Sequence, residues 1–233
     1  MTEKTQNAAV YKYHKPHQIA LKRALKLRDR YLKHLMTIGK ISKDSMNYHK
    51  VILTFFGCGK CKYGPGTFTS LVTTCLWLMV SYFFFLKQIS IFAETVMWTV
   101  IALIMFIYGV FIVPIYSKVT CTEDDPSIVL DEVMGQIVAL SITYPFIKPY
   151  YFIIDNARIN FLIIISHVSF CFLLFRLLDI AKPSIIGTID RNMKGGVGVM
   201  LDDLVCGIIS GIIGVGIFKT LEYFLNMPTL VVN

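Results

Sequence analysis

The sequence predicts an all-α fold, a multi-helical integral membrane protein with four or five apolar helices and a polar site on one face. Composition is the first observation. Of 233 residues, 55% are hydrophobic and 16% charged, and mean hydropathy is +0.61, whereas soluble domains carry roughly 25% charged residues. The second is a series of five apolar runs, at 68–86, 95–113, 133–147, 161–178 and 204–218. The third is that the acidic and glycine-rich stretches all fall between runs on one side, if every run crosses.

A helix needs about 20 apolar residues to span a bilayer, or about 17 at the short end. Runs one, two and four are long enough. The fifth qualifies if it continues past Lys219 to Leu225, and the third, "VMGQIVALSITYPFI", is marginal.

The formal charge of +8 is unevenly placed, because residues 1–50 hold twelve Lys/Arg against Glu3, Asp29 and Asp44, a balance of +9. This divides the chain into a basic arm (1–50), a membrane domain (51–225) and a short tail (226–233). Within the arm, Ile19, Leu21, Leu25, Leu32, Leu35 and Met36 recur at helical spacing among Lys and Arg. A basic amphipathic helix is expected over 17–40, suited to anionic lipid at about 1 kcal/mol per basic residue near the surface. A solvated arm is the plainer alternative, and no nucleic-acid partner is expected. By the positive-inside rule the arm faces the cytoplasm, together with Lys60, Lys62, Lys118, Arg176, Lys182, Arg191 and Lys194. Lys87, Lys148 and Arg158 fall on the other side.

Six cysteines include one CxxC, Cys58 and Cys61. Structural zinc takes four N or S ligands, and no second CxxC or His pair is present, so reduced thiols are expected. His167, alone in "IISHVSF", reads as a hydrogen-bonded core residue.

Three loops on the arm's side carry the chemistry. In "FFGCGKCKYGPGTFTSL" (55–71), Gly57, Gly59, Gly64 and Gly66 allow close backbone approach to a phosphate, and Thr67 and Ser70 sit where the next helix begins, an end that favours anions. It lacks the Gly-Lys-Ser/Thr ending of a P-loop. In "CTEDDPSIVLDEVMGQ" (121–136), Glu123, Asp124, Asp125, Asp131 and Glu132 supply hard oxygen ligands suited to Mg²⁺ or Ca²⁺; the last two are drawn toward the apolar layer. The third, 175–204, mixes Arg176, Lys182, Arg191 and Lys194 with Asp179, Asp190, Asp202 and Asp203. Acids for a divalent ion beside cations for a phosphate are the parts of metal-assisted phosphoryl chemistry.

These stretches resemble the phosphatidylglycerophosphatase A family over roughly residues 51–225. The resemblance lies in "PGT" at 65–67 followed by Ser70, in Asp125 to Gly135 with Asp131, Glu132 and Gly135, and in Phe175, Arg176, Asp179, Lys182 and Pro183. It is most specific in Asp190, Arg191, Gly195, Gly196, Gly198, Met200, Asp202 and Asp203. Thr69 stands where the family usually has Gly. The resemblance implies an Mg²⁺-dependent enzyme of the bacterial inner membrane that removes the terminal phosphate of phosphatidylglycerol phosphate at the cytoplasmic face.

On that reading Asp131, Glu132, Asp179, Lys182, Asp202 and Asp203 are the catalytic candidates. Asp131, Glu132, Asp202, Asp203 and Asp190 are candidate metal ligands, and Gly66, Thr67, Ser70, Arg176, Lys182 and Arg191 candidate phosphate contacts. Adjacent residues on a helix point about 100° apart, so Asp202 and Asp203 are expected to differ in role, as are Asp131 and Glu132. Competing readings are a CDP-alcohol phosphatidyltransferase, whose acidic pattern "DNARINF" (155–161) does not meet, and a non-enzymatic divalent-cation transporter or scaffold. A transporter would be expected to hold acids at mid-span.

Overall fold

A computed structural model describes residues 26, 30, 43–120, 122, 125–149, 157–183, 186–188, 193 and 195–224. The arm helix expected over 17–40 lies outside them apart from Lys26 and Arg30, as do Glu123, Asp124, Asp190, Arg191, Lys194 and the tail. The chain divides into residues 1–48 and 49–233, and the second unit carries the bundle.

The described residues form helices and no strand. In order they are α1 (Lys43–Leu53), a 3₁₀ turn (Cys58–Lys60), α2 (Pro65–Leu86), α3 (Ile91–Thr120), α4 (Leu130–Ile147), α5 (Ala157–Ala181) and α6 (Gly196–Phe224). Pro65 opens α2 at a position where its fixed φ suits a helix and its missing N–H costs nothing. Helices α2, α3, α5 and α6 are long and apolar enough to cross a membrane. Their outward side chains, among them Leu103, Phe111, Phe161, Leu173 and Ile212, are exposed, as lipid-facing residues of a multi-pass membrane protein are. The fifth apolar run does continue past Lys219, to Phe224.

The marginal third run becomes the enclosed helix. Twelve of the eighteen residues of α4 are buried, against six of thirty in α3. Its mixture of Gln136, Ser141, Thr143 and Tyr144 with aliphatics suits contact with protein on every side better than contact with lipid. Thr143 Oγ1 lies 2.8 Å from His167 Nε2 on α5, so His167 is a hydrogen-bonded core residue. Trp77, Trp98 and Tyr144 form the aromatic centre, Trp77 meeting Tyr144 edge to face at 4.8 Å.

Helices α2, α4 and α6 run in one direction, with α3 and α5 antiparallel to them. The starts of α2, α4 and α6 and the ends of α3 and α5 therefore meet at one end of the bundle, where all three motif loops emerge. The second of these loops is held against the first and against the end of α1: Val129 N donates to Leu53 O at 3.0 Å, and a Cβ on Gly59 would come 2.1 Å from Ser127 O. Cys58 and Cys61 are free thiols on this surface.

Candidate active site

The first turn of α4 presents Asp131 and Glu132, and the second turn of α6 presents Asp202 and Asp203. Close backbone contact brings the two helices together. A Cβ on Gly207 would lie 2.4 Å from Gly135 O, and one on Gly135 would lie 2.7 Å from Asp203 O. Small residues at such crossings let helices approach in a membrane, where packing rather than hydrophobicity drives association. One turn above this crossing, Asp131, Glu132 and Asp203 each offer a carboxylate oxygen, all within 4.8 Å of one another.

Asp202 points elsewhere. Its Oδ2 accepts from Lys182 Nζ at 2.9 Å, and its Oδ1 accepts from the Asp203 N–H at 3.0 Å. The adjacent acids thus lie differently: Asp203 joins the acid cluster and Asp202 pairs with a cation. Asp131 and Glu132 instead meet in the same cluster, with Asp131 Oδ1 accepting from the Glu132 N–H at 3.1 Å.

Lys182 ends α5 in the left-handed region, with φ of 39°, and its N–H bonds Leu178 O at 2.9 Å. Glycine normally takes this C-terminal position. Lysine here accepts backbone strain and sets its ammonium against Asp202. One and two turns earlier on α5 stand Asp179 and Arg176, with Arg176 Nη1 2.7 Å from Asp179 Oδ2 but not aligned for a hydrogen bond. Asp179 also lies within 4.8 Å of Asp203 and the Cys206 sulfur.

Gly66, at the start of α2, closes the floor. A Cβ there would come 2.2 Å from Glu132 Oε1 and 3.2 Å from Arg176 Nη2. Thr67 is exposed, whereas Ser70 is fully buried one turn deeper. The Gly66, Glu132 and Arg176 groups are therefore brought together, Ser70 lies one helical turn past Gly66, and Asp190 and Arg191 lie outside the described residues. On the outer side a cavity of about 200 Å³, lined by Val113, Ser117, Asp125, Pro126, Ile128, Asp131 and Val199, opens beside Asp131.

Burial and mutual repulsion disfavour the charged forms of the clustered carboxylates. Burial, followed by the charge and hydrogen bond of Glu132 and the charge of Asp202, holds the Asp131 carboxyl well above its usual range. Burial and the charge of Asp203 push Glu132 up to about 7, against the opposing pull of its hydrogen bond to Asp131 and of Arg176. Glu132 Oε2 is buried with no hydrogen-bond partner among the described residues. Three converging carboxylates, one with a bare oxygen, fit a hard divalent cation. The Cys206 thiol is a poor match for such an ion.

A model of the phosphatidylglycerophosphatase A family matches residues 51–218. The chain belongs to the phosphatidylglycerophosphatase A family. It is a lipid phosphatase, and the converging acids and cations at one end of the bundle are the candidate site for that activity. Among curated relatives, "Putative phosphatidylinositol-3-phosphatase" of Bacteroides thetaiotaomicron is 32% identical over 164 residues, covering 70% of this chain and 89% of that protein. Phosphatidylglycerophosphatase A of Escherichia coli K12 is 29% identical over 155 residues, covering 66% of this chain and 74% of the relative. No solved structure matches the chain.

Sequence reasoning passed over Gln136. It sits inside an apolar run, four residues after Glu132, and is fully buried with both amide atoms unpartnered among the described residues; a lone amide at that spacing from a candidate ligand was the signal available.

Proposed function

We propose that the chain hydrolyses the terminal phosphate monoester of phosphatidylglycerol phosphate to phosphatidylglycerol and inorganic phosphate. The reaction is Mg²⁺-dependent and occurs at the cytoplasmic face of a bacterial inner membrane. The observation that carries this reading is the meeting of Asp131, Glu132 and Asp203 within 4.8 Å, flanked by Arg176 and by the Lys182–Asp202 pair. The family and the Escherichia coli relative's name support the substrate.

Asp131, Glu132 and Asp203 would hold Mg²⁺, which when bound supplies Lewis-acid polarisation of the phosphoryl oxygens. Arg176 and Lys182 balance the charge of the phosphate; Asp179 and Asp202 aim those two cations. Gly66 keeps the floor low, so that the Glu132 carboxylate and the Arg176 guanidinium reach the same point. The cavity beside Asp131 gives room for the polyol that joins the two phosphates. Lys60, Lys62, Lys118, Arg176 and Lys182 at the site's end of the bundle support the cytoplasmic orientation.

Purified protein in mixed micelles tests the reading by release of inorganic phosphate from phosphatidylglycerol phosphate, with Mg²⁺ and with chelator. Phosphatidylinositol 3-phosphate belongs in the same panel because of the Bacteroides relative's name. Phosphate release that needs Mg²⁺ and favours phosphatidylglycerol phosphate is expected. Release of CMP from a CDP-lipid instead would move the chain to the phosphatidyltransferase reading.

A further inference from the structure

Hydroxyls buried in these helices are satisfied in a regular way. Thr73, Thr74, Ser141, Thr143 and Ser210 each donate to the carbonyl four residues earlier, at 2.7–3.2 Å, and Ser81 donates to Glu94. Thr69 and Ser70 break the pattern. Both are fully buried, and neither hydroxyl has a partner among the described residues. Gln136 is equally buried, and neither Oε1 nor Nε2 has a partner among the described residues. Buried polar groups in native proteins find partners, from protein or from ordered water, and inside a membrane leaving them unpaired is costly.

Helix register places these groups together. Helices α2 and α4 run side by side in the same direction, with Gly66 against Glu132 near their starts and Trp77 against Tyr144 further down. The two intervals are 11 and 12 residues, so the helices stay in step. Four residues past the first contact lie Ser70 and Gln136, at a common level about 6 Å deeper. Thr69 adjoins Ser70. Residues i and i+4 on a helix are neighbours, with Cβ atoms about 5–6 Å apart, which places Gln136 one turn below Glu132, whose Oε2 likewise has no partner among the described residues.

We propose that Gln136, Ser70 and Thr69 form a buried water site beneath Glu132, and that Gln136 positions the Glu132 carboxylate through that water. Five atoms face the need: the two amide atoms, two hydroxyls and Glu132 Oε2. Each buried water typically makes about three hydrogen bonds, so one or two molecules satisfy the set. The groups are uncharged apart from Glu132 and include both donors and acceptors, which suits water better than an anion or a cation. The site reaches one turn into the bundle, and Gln136 is a positioning residue within it. Only the activity readout below rests on the lipid-phosphatase reading.

The test uses the full chain in detergent. Gln136→Leu keeps roughly the same size and removes the polar anchor. Partners of metal-ligating side chains are worth about 10- to 100-fold in metal affinity or activity. Phosphate release is therefore expected to fall at least tenfold at a fixed Mg²⁺ concentration, with half-maximal activity shifted to higher Mg²⁺. Gln136→Asn, which retains the amide and leaves room for more water, is expected to recover part of the loss. X-ray radiolytic footprinting, which labels side chains beside bound water, should mark the residues around Gln136 in the parent protein and lose that mark in Gln136→Leu. Thermal unfolding provides the contrast, because removal of unsatisfied polar atoms without a water would leave stability equal or higher and catalysis untouched. Unchanged turnover and Mg²⁺ dependence in Gln136→Leu, or no label in the parent protein, overturns the proposal. Should the parent protein release no phosphate from any lipid, the functional reading fails, while footprinting still decides the water site.

Discussion

Gly135 of α4 and Gly207 of α6 cross so closely that a Cβ on Gly207 would stand 2.4 Å from the Gly135 carbonyl oxygen. The obstacle is backbone, which cannot swing aside as a side chain can. Gly207→Ala is expected to push the helices apart, to cost about 1–3 kcal/mol, as overpacking does, and to separate Asp203 from Asp131 and Glu132. Thermal unfolding and phosphate release should both decline.

Gly66→Ala makes the opposite combination. The atoms met by its Cβ are the ends of two flexible side chains, Glu132 and Arg176, which can move. Stability is expected to stay within about 0.5 kcal/mol, as for many substitutions clear of a rigid core. Turnover should drop sharply, because what moves is the candidate chemistry. A parallel loss of stability would show that the floor is merely structural.

Lys182 combines backbone strain with charge, and two substitutions separate them. Lys182→Gly removes the ammonium and relieves a left-handed φ that costs a non-glycine residue about 1–2 kcal/mol; Lys182→Met removes only the ammonium. Both should lose phosphatase activity, and the glycine variant should melt higher than the methionine variant. Equal melting temperatures would count against a strained lysine.

Asp202 and Asp203 are expected to respond differently to neutralisation. Asp203→Asn removes a member of the three-carboxylate cluster, so activity should be nearly abolished and only partly restored by extra Mg²⁺. Asp202→Asn frees Lys182 from its ion pair and leaves the cluster intact, so a larger residual rate with near-normal Mg²⁺ dependence is expected. A Mg²⁺ titration of both variants checks this.

The far end of the bundle holds a buried charge network. Glu94, fully buried, accepts from Ser81 Oγ at 2.5 Å, from Tyr144 Oη and from Lys148 Nζ at 2.9 Å. It joins α2, α3 and the end of α4. Removing one partner of a buried pair commonly costs about 3–5 kcal/mol because the other charge is stranded. Lys148→Met should therefore destabilise more than the double variant Glu94→Gln/Lys148→Met, measured by thermal unfolding in one detergent.

Hydropathy and charge by themselves determined much of this protein. Four apolar runs become the four helices able to cross a membrane, because a stretch of about 20 apolar residues has few other stable environments. The three motif loops fall at one end because each helix reverses the chain, and the residue types in those loops carry the family. What tertiary structure decided is everything that depends on how one helix is rotated against another. The run 133–147 reads as a weak span, yet α4 is the enclosed helix, since hydropathy does not distinguish burial in protein from burial in lipid. Likewise, Asp202 and Asp203 are identical in sequence terms; only the angle of α6, set by the Gly135–Gly207 crossing, turns one toward Lys182 and the other toward Asp131 and Glu132. Gln136, inside the third apolar run, and Glu94, at the edge of the second, carry no such signal for the same reason: the groups that face them come from other helices, and inter-helix register is not written in any one segment.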